Sequence, residues 1–159
     1  MSVRSLRCAA SARRHILLIE DNADGRESLR MLLAYLGHRV DVAADGVEGV
    51  QKALVGHPDV ALVDIGLPRL NGYEVARRIR AALGENVVLV AYTAYDSEDV
   101  KRRIIEAGFD AHLVKPIELS ELSPWLGDER LAACGLAASG RIRGLAASGR
   151  ILCSAAQLR

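Results

Sequence analysis

The chain has 159 residues, 50% of them hydrophobic, and a formal net charge of +1. This length suits one domain with a buried core, and the charge gives no reason to expect a nucleic-acid partner. The three cysteines, Cys8, Cys134 and Cys153, are far apart, which excludes a disulfide framework and a CxxC metal site. No apolar run reaches the roughly 18 residues of a membrane-spanning helix, so we expect a cytoplasmic protein with free thiols and no membrane insertion.

The first predicted unit begins with the apolar run 15–20, which is typical of a buried strand. An amphipathic helix follows, with a capping pattern that begins at Asp24 and a stop at Gly37. Its apolar positions have helical spacing and are Leu29, Leu32, Leu33 and Leu36. A weaker strand is predicted at 40–43, and a second helix from Asp45. The apolar face of this second helix comprises Val47, Val50 and Leu54.

The same alternation continues through the next two units. A third strand is predicted at 59–64, and the helix after it has Asn71 as its cap. A fourth strand is predicted at 86–93, and a fourth helix starts at Asp96. The inward positions of these two helices are Val75, Ile79, Leu83, Val100 and Ile104.

A fifth strand is predicted at 111–114, and a last helix begins near Glu118. Pro124 lies inside this helix and should remove one of its backbone hydrogen bonds. Five β-α units with continuously apolar strands indicate a parallel sheet that helices cover on both faces. We therefore expect a flavodoxin-like, doubly wound α/β fold with five helices and strand order 2-1-3-4-5. In this fold the ligand site lies at the carboxyl ends of strands 1 and 3.

Two flanking segments have a different composition. Residues 1–14 are rich in Arg, Ser and Ala and contain no acid, and we expect a flexible extension there. The segment 128–159 contains GLAASGRI twice, at 135–142 and at 144–151, and its small residues would form a poor core. We expect a flexible tail after a folded domain at 15–127.

Polar side chains stand at the carboxyl ends of four predicted strands. In chain order they are Glu20, Asp21, Asp64, Thr93 and Lys115. Taken one at a time, each has an ordinary structural explanation. The acid pair could cap a helix, Asp64 could be a turn residue, Thr93 could simply favour a strand, and Lys115 could be a solvated surface residue. Together they indicate a site, because three convergent carboxylates repel one another unless a hard cation such as Mg²⁺ binds between them.

In combination, four stretches resemble the receiver domain of two-component response regulators. They are LLIEDN at 17–22, ALVDIGLPRLNGYEVARRIR at 61–80, VAYTA at 90–94 and AGFDAHLVKP at 107–116. The resemblance covers about 15–126, and the sequence around DIGLP and AHLVKP is similar to receivers of hybrid histidine kinases.

The resemblance implies a role for each residue at this edge. Asp64 corresponds to the phosphoacceptor, and Thr93 and Lys115 correspond to the groups that contact the phosphoryl oxygens. The Mg²⁺ (or Mn²⁺) ligands correspond to Glu20, Asp21, Asp64 and the backbone carbonyl of Gly66. Pro116 corresponds to a proline after a cis peptide bond. The implied donor is a phosphohistidine on a histidine kinase or histidine phosphotransfer protein, and the chain would catalyse only its own phosphorylation and dephosphorylation.

The resemblance also implies that a downstream protein binds the face made by helix 4, strand 5 and helix 5. In the family an aromatic residue on strand 5 moves with the threonine, and here that position is His112. We expect Thr93 and His112 to form the switch; the alternative is that His112 is a tolerated substitution. A histidine would also be charged near about pH 6–7.

Two other functions fit parts of the sequence. A DNA-binding regulator would use the basic tail, whose arginines are Arg130, Arg141, Arg143, Arg150 and Arg159. That tail lacks interleaved aromatic residues and an amphipathic recognition helix, which weakens this alternative. A receiver-like domain that never accepts phosphate would lack an acid or the lysine, and neither is missing here.

Overall fold

A computed structural model describes residues 13–127, and this part contains five strands and five α-helices. The strands are β1 His15–Ile19, β2 Arg39–Ala43, β3 Val60–Asp64, β4 Val88–Thr93 and β5 Ala111–Val114. The helices are α1 Ala23–Tyr35, α2 Gly46–Gly56, α3 Gly72–Leu83, α4 Glu98–Ala107 and α5 Leu119–Leu126. A 3₁₀ turn, Gly84–Asn86, precedes β4. The order of elements predicted from the sequence is confirmed.

All five strands pair in parallel, in the order β2-β1-β3-β4-β5. Strand β3 is central, and each of its five residues is buried, which explains its continuous apolar sequence. Because the strands are parallel, their carboxyl ends lie along one edge of the sheet. The predicted flavodoxin-like topology is confirmed.

Two apolar clusters cover the two faces of this sheet. Leu17 belongs to the cluster that includes α2, α3 and α4, whereas Leu18 belongs to the cluster that includes α1 and α5. Neighbouring residues of a strand point to opposite faces, so a strand buried on both sides supplies both clusters. Helices therefore pack against both faces of the sheet. This packing fixes the carboxyl ends of the strands, where the polar residues predicted to form a site begin.

Polar side chains cap the first four helices, but two of the caps differ from the prediction. Asp45 and Asn71 cap α2 and α3 as predicted. Helix α1 is capped by Asn22 and not by Asp24, and α4 is capped by Ser97 and not by Asp96. In both cases an uncharged side-chain oxygen accepts a hydrogen bond from the backbone amide three residues further along the chain. The Asp24 side chain lies in the first turn, where its charge suits the helix dipole.

The buried stripes of α1 and α2 are narrower than predicted. Leu33 is fully buried, whereas Leu32 is 38% exposed and Leu54 on α2 is 41% exposed. Helical spacing identifies the centre of an apolar stripe, but the residues at its margins depend on how the helix rests on the sheet. The prediction that Leu32 and Leu54 face the core is therefore wrong in part.

Helix α5 continues past an internal proline. Pro124 has no amide hydrogen, so the carbonyl of Ser120 loses its usual donor. The buried hydroxyl group of Ser123 donates a 3.0 Å hydrogen bond to that carbonyl. This replacement satisfies the acceptor, and the helix extends to Leu126.

Helix α3 starts in direct contact with the end of β3. A Cβ atom at Gly72 would lie 2.3 Å from the carbonyl oxygen of Asp64 and 2.8 Å from Cα of Ile65. The Gly72 amide also donates a 3.2 Å hydrogen bond to the Ile65 carbonyl. The backbone at the end of β3 is thereby fixed against the first turn of α3.

The predictions for 1–12 and for the tail 128–159, with its arginines and duplicated segment, lie outside the described residues, as do all three cysteines. Within 13–127 no helix is both long enough and apolar enough to span a membrane.

Candidate functional site

An ammonium group lies between two carboxylates at the carboxyl edge of the sheet. Lys115 Nζ donates hydrogen bonds of 2.8 Å to Glu20 Oε2 and 2.9 Å to Asp64 Oδ2. Glu20 follows β1, Asp64 ends β3 and Lys115 follows β5, so three separate strands supply these groups. Both carboxylate residues are buried. The structure thus brings together residues that are up to 95 positions apart in the chain.

A third carboxylate lies beside this pair. One oxygen from each of Glu20, Asp21 and Asp64 lies within 4.8 Å of the other two. Asp21 is exposed, and among the residues that the structure describes its carboxylate has no hydrogen bond or ion pair. Hard oxygen donors at this spacing, with one of them free, fit a divalent cation such as Mg²⁺.

Burial and the ammonium group shift three pKa values in this cluster. Burial raises the pKa of Asp64 above its ordinary value, and the charge of Glu20 adds to the increase. Burial would also raise the pKa of Glu20, but hydrogen bonds from Lys115 and from a backbone amide outweigh it and lower that pKa. Burial disfavours the charged form of Lys115, yet its bonds to the two carboxylates raise its pKa. Lys115 is therefore charged at neutral pH.

Arg26 supports the acid pair, and the sequence analysis missed it. Its Nη1 donates hydrogen bonds of 2.7 Å to the backbone carbonyl of Glu20 and 3.1 Å to that of Asp21. The amide of Asn22 also donates a 3.1 Å hydrogen bond to Glu20 Oε1. The only signal in the sequence is an arginine in the first turn of the helix that follows the acid pair.

The loops after β3 and β5 complete the surroundings of Asp64. The amide of the exposed Gly66 donates a 3.0 Å hydrogen bond to Asp64 Oδ1, so this loop lies directly against the carboxylate. The peptide bond between Lys115 and Pro116 is cis. The Asp64 carboxylate is thus contacted by an amide on one oxygen and by an ammonium group on the other.

Thr93 and His112 lie on neighbouring strands. Strand pairing places Ala91 opposite His112 and Thr93 opposite Val114, so Thr93 and His112 project from the same face of the sheet. Thr93 is buried, and its Oγ1 accepts a 3.1 Å hydrogen bond from the amide of Tyr95.

His112 is buried, and within the described part of the chain its Nε2 has no hydrogen-bond partner. The nearest charged group is Asp96, whose Oδ1 lies 3.5 Å from Nε2. Burial lowers the pKa of His112 below its ordinary value, although Asp96 opposes this shift. Burial therefore favours the neutral ring, in the direction opposite to the expectation of a histidine charged near about pH 6–7.

Tyr92 is a second residue that the sequence analysis missed. It lies opposite Asp64 in the pairing of β3 with β4, and its ring centroid is 4.1 Å from Lys115 Nζ. Burial and the neighbouring Glu20 raise the pKa of Tyr92 to about 12, so its hydroxyl group stays protonated. In the sequence it is an ordinary aromatic strand residue, and only the sheet shows what it contacts.

Residues 16–126 match the family model of the response regulator receiver domain. The chain is also 38% identical over 107 residues to the response regulator MprA of Mycobacterium ulcerans (strain Agy99). That alignment covers 67% of this chain and 46% of MprA, so the chain spans about half the length of the curated relatives that it matches.

Two solved structures are similar to this chain. The receiver domain of sensor histidine kinase PA1611 from Pseudomonas aeruginosa PAO1, with a magnesium ion coordinated in its active site cleft, is 36% identical, with a TM-score of 0.65 and coverage of 73% of this chain and 99% of that one. The receiver domain of Saccharomyces cerevisiae Ssk1, crystallised with the histidine phosphotransfer protein Ypd1, is 27% identical, with a TM-score of 0.66 and coverage of 71% and 88%. The chain belongs to the response regulator receiver domain family.

Proposed function

We propose that Asp64 accepts the phosphoryl group in a reaction that requires Mg²⁺. The observation that carries this proposal is the position of its carboxylate, which Lys115 contacts at 2.9 Å and which lies within 4.8 Å of the other two acids. Its burial and raised pKa are typical of a carboxylate at a functional site. It also ends the central strand, at the edge where this fold binds ligands.

In this reaction an oxygen of Asp64 forms a bond to phosphorus while the bond from phosphorus to the donor imidazole breaks. The imidazole keeps the electron pair of that bond and takes up a proton from water. Lys115 already lies beside the attacking carboxylate, so its ammonium group balances charge on a phosphoryl oxygen. Hydrolysis of the resulting acyl phosphate by water returns the Asp64 carboxylate and releases inorganic phosphate, so the chain catalyses only its own phosphorylation and dephosphorylation.

Glu20, Asp21, Asp64 and the backbone carbonyl of Gly66 would hold the cation, Mg²⁺ or Mn²⁺. When bound, the cation supplies positive charge to the phosphoryl oxygens. Asp21 is the better direct ligand, because its carboxylate has no partner among residues 13–127, whereas Glu20 already accepts hydrogen bonds from Lys115 and the Asn22 amide. Arg26 orients both acids through their carbonyl groups.

Thr93 and His112 would transmit the phosphorylated state. Thr93 contacts the new phosphoryl group through its hydroxyl and gives up the hydrogen bond from the Tyr95 amide. His112 projects from the same face of the sheet one strand away and approaches Asp96 in the loop before α4. A downstream protein would read the result on the face made by α4, β5 and α5.

The donor would be a phosphohistidine of a histidine kinase or of a histidine phosphotransfer protein. The complex of the Ssk1 receiver with Ypd1 supports the second class. We place this exchange in the cytoplasm, and no nucleic-acid contact is needed for it.

The assignment of Asp64 is tested with the full chain, acetyl phosphate and Mg²⁺. Asp64→Asn should remove labelling, because the amide is not a nucleophile, whereas Asp99→Asn, an exposed acid on α4, should label like the parent. Intact mass spectrometry detects the added phosphoryl group. Labelling of Asp64→Asn at the parental level would show that the acceptor is another residue.

A further inference from the structure

Lys115 contacts more than its two carboxylates. The third partner is the face of the Tyr92 ring, 4.1 Å from Nζ to the centroid. Tyr92 is only 8% exposed, and strand pairing fixes it between Asp64 on β3 and Leu113 on β5. Its hydroxyl group lies beside Glu20. One aromatic side chain therefore contacts the ammonium group from a strand that supplies neither carboxylate.

We propose, on the basis of the function proposed above, that Tyr92 is a positioning residue for phosphoryl transfer: the face of its ring holds the Lys115 ammonium group between Glu20 and Asp64. A lysine side chain is flexible, and the side chain of Lys115 is 30% exposed, so its carboxylate contacts alone leave it free to exchange with water. The negative face of an aromatic ring attracts the ammonium group and limits where it moves.

The contact with the ring uses no oxygen of Asp64. On phosphorylation, Lys115 must exchange a carboxylate oxygen of Asp64 for a phosphoryl oxygen, and its bond to Asp64 is then lost. The Tyr92 ring belongs to β4, so its contact with the ammonium group is made from a strand that supplies neither carboxylate. Tyr92 thus keeps the charge in place through the exchange, which an aliphatic side chain at this position would not do.

The chain allows a direct measurement, because its only lysines are Lys52, Lys101 and Lys115. In protein labelled at the lysine ε-carbon, the ring current of Tyr92 should shift the Lys115 methylene signal upfield of the other two. Tyr92→Phe retains the ring and should retain the shift, whereas Tyr92→Leu and Tyr92→Met should lose it. Tyr35→Leu is the matched control, because that tyrosine is 88% exposed on α1.

The same variants are tested for their rate of phosphorylation by acetyl phosphate at saturating Mg²⁺. Tyr92→Leu and Tyr92→Met should be slower by roughly 2- to 30-fold, the range of a cation–π contact, and Tyr92→Phe should restore the rate. Thermal unfolding identifies any variant that fails to fold. The upfield shift of the Lys115 signal is measured in the parent protein, so this part of the test does not depend on how a variant folds. An unshifted Lys115 signal, a parental rate in Tyr92→Leu, or an equal loss in Tyr92→Phe would overturn the proposal. Failure of the proposed function would instead appear as labelling of Asp64→Asn.

Discussion

The buried hydroxyl group of Ser123 donates a 3.0 Å hydrogen bond to the backbone carbonyl of Ser120. That carbonyl would pair with the amide of residue 124 in an ordinary helix, and Pro124 has none. The side chain therefore supplies the donor that the backbone lacks, and α5 keeps its length on the face proposed to bind a downstream protein.

Ser123→Ala should destabilise the domain by about 0.5–1.5 kcal/mol, because the Ser120 carbonyl loses the hydrogen bond that replaces its helical one. In a Pro124→Ala background the amide returns, so the same serine substitution should cost much less. Urea denaturation of the parent, both single variants and the double variant measures this coupling. An equal cost of Ser123→Ala in both backgrounds would show that the hydroxyl does not compensate for the proline.

Asp21→Ala should weaken Mg²⁺ binding more than Glu20→Ala. The Asp21 carboxylate is exposed and is without partners in the described part of the chain, whereas the Glu20 carboxylate is buried and already bonded to Lys115. Isothermal titration calorimetry measures both affinities, with Asp24→Ala as a control acid in the same region. Parental affinity in both variants would exclude this acid pair from the metal site.

Thr93→Ala should still accept phosphate on Asp64 but should respond weakly at the α4–β5–α5 face. A hydrogen bond to a charged acceptor contributes about 1.5–3 kcal/mol, and its loss would reduce the population shift roughly ten- to a hundredfold. NMR of the beryllofluoride-bound protein follows the amides of 107–114, and Thr93→Ser, which keeps the hydroxyl, is the control.

His112→Ala separates the two members of the proposed switch. Reduced amide shifts in His112→Ala, as in Thr93→Ala, would support a shared role. Full parental shifts in His112→Ala alone would leave Thr93 as the only coupling residue, and full shifts in both variants would remove both from the mechanism.

The stability of the fold should depend on pH through His112. Its pKa in the folded chain is lowered by burial, with Asp96 opposing the shift and Lys101 adding to it. The unfolded chain therefore takes up the proton first, and the free energy of unfolding should fall as the pH drops below the ordinary value of 6.5. His112→Phe should lose less stability than the parent between about pH 7.5 and about pH 5.5 in urea denaturation. Equal losses would contradict this account.

The sequence predicts the fold well because its pattern is local. Each strand is a short apolar run and each helix has a stripe of apolar residues, so the order of elements can be predicted from the periodicity. The strand order then follows from the rules for right-handed crossover connections. The errors are also local: Asn22 and Ser97 compete with nearby acids for the cap position, and spacing alone does not separate these candidates.

The sequence predicted that the carboxylates and the lysine meet at one edge of the sheet, but it did not predict the other long-range contacts around them. Arg26 and Tyr92 have no motif of their own, and their partners become visible only when strands and helices are assembled. Arg80 is similar: its guanidinium group bonds to the Gly108 carbonyl at 2.8 Å and to Asp110 at 2.6 Å, about 30 residues away in the chain. Contacts of this kind are visible only in the folded structure.

The contact between Gly72 and the end of β3 has a consequence for how the protein tolerates mutation. Any side chain at position 72 would collide with the backbone of Asp64 and Ile65, and the first turn of α3 would have to move away. That movement would displace the loop that carries Gly66 as well as Asp64 itself. In a saturation screen for phosphorylation, Gly72 should therefore be as intolerant as a residue of the site, although it contributes no functional group.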